Sequence, residues 1–117
     1  MPGIRESRAS VTLEYDAEPP ILAEACQWAL NAVGKVKSIQ RETGIITGRV
    51  SSQMFVHNAA DVTVQIKKSE MGTQAVIDAT AGEPLLRSAD SAQKCIAKLI
   101  NYLAQHPALK GRSKAGW

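Results

Sequence analysis

Side chains able to do chemistry are sparse in this sequence. His57 and His106 are its only imidazoles, and Cys26 and Cys95 its only thiols. Neither histidine stands in a known catalytic spacing. A His-Glu-x-x-His run would set two imidazoles on one helix face around a zinc ion, and none occurs. A Gly-x-Ser-x-Gly elbow, a phosphate-cradling glycine loop and a dinucleotide fingerprint are also missing. His106 precedes Pro107 at the end of a helical stretch, where a cation suits the helix dipole. Cys26 and Cys95 fall on apolar-periodic stretches, which predicts two buried small hydrophobes. A disulfide between them requires Cα atoms within about 7 Å. A reactive thiol would have only Lys94 and Lys98 nearby to lower its pKa. The expectation is a protein with no catalytic, cofactor-binding or metal-ligating set, hence not an enzyme.

What remains is contact chemistry. Ser51–Ala60 (SSQMFVHNAA) places the only phenylalanine beside Met54 and Val56. Met54, Phe55, Val56 and His57 are either a strand extension tucked into the core or an exposed apolar tip that meets a partner. A second candidate contact is the polar side of the strands, where Arg49, Gln65 and Lys67 fall. A nucleic-acid platform there would need basic residues interleaved with aromatics for base stacking. Glu14 and Asp78 share that side and no aromatic does, so nucleic acid is disfavoured.

The net charge of +3 sits in one place. Residues up to 105 balance, and the excess comes from Lys110, Arg112 and Lys114 in a Gly- and Ser-containing end. A solvated tail is the first reading of such an end, with weak salt-dependent nucleic-acid binding as an alternative. The start, Met1–Arg8, has no apolar stretch of the roughly 7–15 residues that export needs. No apolar run reaches the ~18 residues of a membrane span. The expected setting is the cytoplasm, with both thiols reduced.

The elements that would position these residues follow from periodicity. Ser10–Asp16 alternates Val11, Leu13 and Tyr15 against Thr12 and Glu14, which predicts a half-buried strand. From Pro20, Ile21, Leu22, Ala25, Cys26, Trp28, Ala29, Ala32 and Val33 recur at helical steps up to Gly34, which is placed for a left-handed cap. Lys35–Arg41 and Gly44–Ser51 flank a turn at Glu42-Thr43-Gly44. Asp61–Ser69 and Thr73–Ala81 flank another at Glu70-Met71-Gly72. Val36 and Ile39 have opposite parity, which predicts a bulge. Gly82–Arg87 reads as a loop. A last helix is expected to be capped by Ser88, with Asp90 in its first turn and a stripe of Ala92, Cys95, Ile96, Leu99, Ile100, Tyr102 and Leu103.

The order β-α-β-β-β-β-α predicts an α+β domain: a mainly antiparallel five-stranded sheet with two helices packed on one face. The expected boundaries are a flexible start at 1–9, one domain over 10–106 and a basic tail over 107–117.

The succession Val36-x-x-Ile39-x-Arg41-Glu42-Thr43-Gly44-x-Ile46, Val62-x-Val64-x-Ile66 and Gly72-Thr73-x-Ala75-x-Ile77, followed by a closing helix, resembles small bacterial domains of TATA-binding-protein-like or helix-grip-like topology. The resemblance covers residues 10–105, implies a sheet gripping two helices, and transfers no catalytic residue. Many such relatives have a hydrophobic-aromatic stretch where this chain has Met54-Phe55-Val56. The expected role is a binding or assembly module whose partner is another protein or a second copy. Contact would run through a sheet edge or the Met54–His57 segment. The alternative is a small apolar ligand held between sheet and helices, where alanines at 25, 29, 32, 75 and 79 could leave space.

Overall fold

The computed structural model describes residues 4–52, 58–70, 72–84 and 90–109. Met54–His57, Ser88 and the basic tail from 110 onward lie outside the described residues. The elements run β1 (Ile4–Tyr15), α1 (Pro19–Val33), β2 (Gly34–Gln40), β3 (Ile45–Val50), β4 (Ala60–Ser69), β5 (Gly72–Pro84) and α2 (Ser91–Leu103). The five strands form one antiparallel sheet in the order β1-β5-β4-β3-β2. α1 therefore carries the chain from one edge of the sheet to the other.

Strand alternation sorts the residues as their polarity demands. Leu13, Tyr15, Ile46, Val50, Val62, Val64, Ala75, Ile77 and Ala79 turn inward and are buried. Thr12, Arg49, Thr63, Lys67 and Asp78 are exposed on the reverse side. α1 lies over β2, β3 and β4, and α2 lies over β1 and β5, with the helices touching each other. Both helices thus share one face of the sheet, as the sequence predicts. The bulge also falls where parity placed it, in a register shift between Val36 and Ser38.

Several expectations need correction. β1 begins at Ile4 rather than Ser10, so residues 4–9 pair with β5 and do not form a free end. β5 continues through Gly82 to Pro84, which the sequence reads as loop, because β1 is long enough to pair with it there. Leu109 is 1% exposed, so packing extends past residue 107.

Gly34 is not a left-handed cap. Its φ of −175° is extended backbone, and it opens β2. What it contributes is a missing side chain, since a Cβ there would run into the Arg49 carbonyl of β3. The end of α1 is closed from outside, by the Ser51 amide donating to the Val33 carbonyl at 2.9 Å.

The buried face of α1 is narrower than the stripe of apolar residues in its sequence. Leu22, Ala25, Cys26, Ala29, Leu30 and Val33 are buried. Ile21, Trp28 and Ala32 stay exposed. Ala25, Ala29, Ala75 and Ala79 line the contact between helices and sheet, each being at most 2% exposed.

α2 starts at Ser91, with Asp90 at its N-cap position making no side-chain capping bond. The amide of Ala92 in its first turn donates instead to Ser7 Oγ of β1, at 3.1 Å. Such a cap reaches 85 residues back along the chain, beyond any local pattern.

Candidate functional site

Neither thiol is exposed chemistry. Both cysteines are buried and outside any disulfide. Burial pushes the Cys26 thiol up to about 12, so at neutral pH it is a protonated packing group. The Cys95 thiol donates to the Asn58 carbonyl at 3.4 Å. The Tyr15 hydroxyl is likewise raised, first by burial and then by the neighbouring Cys26. Each shift favours the uncharged form, the opposite of what a nucleophile needs. His106 lies just past the end of α2: its Nδ1 accepts the Ala108 amide at 3.1 Å, and its ring stands edge-on to Trp28, with centroids 5.2 Å apart. Among the described residues no three His, Cys, Asp or Glu side chains gather where a metal ion could bind.

The sheet face turned away from the helices is polar, and two of its cations, Arg49 and Lys37, converge on one carboxylate, Asp61. Arg49 Nη1 donates to Asp61 Oδ1 at 2.9 Å, and Lys37 Nζ stands 3.8 Å from the same oxygen. Next to that row, Ser38 and Thr47 share a hydroxyl hydrogen bond of 2.6 Å. Gln65 pairs in register with Ile45 and Val76, and Lys67 with Gln74. Arg49, Gln65 and Lys67 thus lie on one surface, in different cross-strand rows. Tyr15 points to the core, and Trp28 and Tyr102 belong to the helical layer, where their rings are 6.2 Å apart. Among the described residues that surface offers no aromatic platform for bases.

The structure instead presents a concavity that sequence spacing does not reveal. A groove of about 630 Å³ runs between the first half of α1 and the β2–β3 turn. Pro19, Pro20 and Ala23 supply its helical wall, and Ile39, Ile46 and Ile66 its apolar sheet side. Arg41, Glu42 and Thr43 of the turn and Glu24 and Gln27 of the helix supply polar groups.

Each wall has a local cause. Proline fixes φ and lacks an N–H, so Pro19 and Pro20 start α1 without stranding a donor. The next two amides, of Ile21 and Leu22, both donate to the Glu18 carbonyl at 3.0 and 3.1 Å. This helix start therefore has no spare amide in its first turn with which to hold an anion. Lys68 Nζ of β4 lies 3.5 Å from Glu18 Oε2 and ties the helix start to the sheet.

The opposite wall is shaped by Gly44, at φ +70°, whose amide donates to the Gln40 carbonyl at 2.9 Å. Thr43 Oγ1 donates to Gln40 Oε1 at 3.1 Å, and the Ile66 amide to the Gly44 carbonyl at 2.8 Å. The turn is thus braced against β4. The bulge at Lys37 switches parity so that Ile39 falls opposite Ile46 on the helix side. Ile39 remains 40% exposed, while Ile46 beneath it is 2% exposed.

Sequence reasoning singles out Ile39 only for its awkward parity. It misses the groove because the two walls come from segments about twenty residues apart. It also misses Asn58, whose amide donates to Ser91 Oγ at 2.8 Å and whose Nδ2 donates to the Gly82 carbonyl at 2.8 Å. These bonds fix the chain entering β4 against α2 and β5. No helix among the described residues is long and apolar enough to cross a membrane. No protein-family model and no curated protein matches the chain, so its site is read from its own residues.

Proposed function

We propose that this protein is a non-catalytic binding module that holds a small, largely apolar ligand in the groove between α1 and the β2–β3 turn. The observation that carries this reading is Ile39, a large aliphatic side chain 40% exposed on a groove wall while its neighbour Ile46 is fully packed. Leaving an isoleucine partly wet forgoes part of the roughly 1.5–3 kcal/mol that full burial would return, and a bound apolar group would recover it. The volume of about 630 Å³ is in the range of small-molecule sites, roughly 300–1,000 Å³. Mixed apolar and polar lining is usual for such sites, the apolar side chains providing affinity and the polar groups orientation. The raised thiol and phenol make Cys26 and Tyr15 packing groups rather than nucleophiles. The helix-grip resemblance points the same way, to a ligand lying between helix and sheet.

The test is methyl-resolved NMR with the isoleucines labelled, titrating 1-anilinonaphthalene-8-sulfonate as the probe. Shifts should concentrate on Ile39, Ile46 and Ile66. Ile39→Glu should weaken the probe at least about tenfold while leaving the remaining methyl spectrum folded. Shifts centred elsewhere, or a folded Ile39→Glu variant that binds equally well, would refute the groove.

A further inference from the structure

The two edges of the sheet are built differently. β2 is seven residues long, carries the bulge between Val36 and Ser38, and sets Lys35 and Lys37 in water. Shortness, bulging and lysine are the usual devices that stop an edge from pairing with another strand. β1 is neither short nor bulged, and its exposed charges, Glu6 and Arg8, are of opposite sign. It runs twelve residues in unbroken register with β5, and among the described residues no strand lies beyond it.

The inward side of that edge is also incompletely covered. Ala79 and Ile77 of β5 are buried, but their β1 partners Ala9 and Val11 are only partly so. α2 overhangs the edge. Tyr102 faces Trp28 of α1, and at about 100° per residue Ile100 lies on the opposite flank, away from α1 and toward the outside of β1. Ile100 is partly exposed too. The Ala92 amide bonded to Ser7 fixes α2 lengthwise. Ala9 and Val11 therefore form a half-covered apolar strip on β1, with Ile100 of α2 also partly exposed, beside an edge that no strand covers among the described residues.

We propose that a second copy of this chain covers this strip by antiparallel β1–β1 pairing about a two-fold axis at Val11. The continuous sheet would have ten strands. Charge selects the register. With Val11 opposite its own counterpart, Arg8 stands opposite Glu14 of the second copy, twice by symmetry, and Ala9 stands opposite Leu13 on the inner side. Parity is kept, so outward-facing residues meet outward-facing ones and inward meet inward.

Arg8 is available for this. Its side chain is 75% exposed, and its pair with Glu6 at 2.7 Å is of the exposed kind that contributes little. Glu14 accepts from Ser69 of β4 through Oε2, so its carboxylate swings outward from that bond to the edge to meet the incoming guanidinium. A pairing centred on Ser7 would also oppose Glu6 and Arg8. It would leave Val11 and Ile100 uncovered, and it would align only residues 4–10.

Sedimentation equilibrium of the wild-type chain and of Arg8→Glu, Glu14→Arg and the double exchange tests the proposal. The wild type should dimerise below roughly 0.1 mM. Each single reversal should weaken the dimer at least about tenfold, because it makes two like-charge oppositions, and the double exchange should restore it. A wild type that stays monomeric at that concentration overturns the proposal. So does a dimer that Arg8→Glu leaves unchanged, or a double variant no tighter than the singles. Arg8 makes no buried contact, so Arg8→Glu alone decides if the Glu14 variants fail to fold. The groove lies at the other end of the sheet, so either result leaves the ligand reading to its own test.

Discussion

Cys26 gives the sharpest quantitative check on the packing between α1 and the sheet. Its thiol is raised from 9.0 to about 12 by burial. Above pH 9 the unfolded chain sheds a proton that the folded chain keeps, so the unfolded state binds fewer protons and stability must fall as pH rises. Below pH 9 both states are protonated and this contribution is intact. One pH unit above 9 the loss is about 1.4 kcal/mol, and it grows by about the same amount per unit until the folded thiol itself titrates near pH 12. For a domain stable by about 5–15 kcal/mol, that is a visible fraction. Urea unfolding at pH 8 and pH 10 should show the midpoint falling by roughly 0.5–1.4 M more in wild type than in Cys26→Ala. The difference between the two chains removes the contribution of lysines, which titrate alike in both. The raised Tyr15 hydroxyl acts in the same direction, and Tyr15→Phe should subtract its share. Equal pH dependence in wild type and Cys26→Ala would refute the reasoning, because it would mean the thiol is as well solvated in the fold as outside it.

Ser91→Ala should destabilise the chain by about 1–3 kcal/mol, since it removes a buried acceptor from the Asn58 amide; chemical denaturation reads this directly. Gly72→Ala should cost more than about 2 kcal/mol or prevent folding. Gly72 sits at φ +154°, and an added Cβ would meet the Tyr15 carbonyl of the neighbouring strand. A melting temperature within a few degrees of wild type would contradict that account.

Most of the architecture can be read from periodicity. Val62, Val64 and Ile66 alternate with polar residues because one side of the sheet is wet, and the conflict between Val36 and Ile39 marks a real bulge. The failures share a physical origin in long-range pairing. Gly82–Pro84 read as loop until β1 is known to be long enough to pair with them. Asp90 reads as a first-turn residue but takes the N-cap position without a capping bond, and the Ala92 amide is met by Ser7 from a strand far back in the sequence. Gly34 sits where a helix often ends in a left-handed residue, but what excludes a side chain is the Arg49 carbonyl. The groove is invisible for the same reason, since Pro19–Ala23 and Arg41–Thr43 meet only after α1 has folded over the sheet. Of the two contact candidates read from sequence, Arg49, Gln65 and Lys67 do share a surface, but the ion pair with Asp61 already occupies Arg49.

The pairing of β1 with β5 has a consequence for how the polypeptide acquires its shape. In the register of these strands Val11 lies beside Ile77, so β1 finds its neighbour only after more than sixty further residues have been synthesised. Until then β2 and β3 can pair through their short turn while β1 waits with its apolar side bare. Closing so wide a loop is entropically slow, and the last strand to be made becomes the clasp that joins the beginning of the chain to the rest.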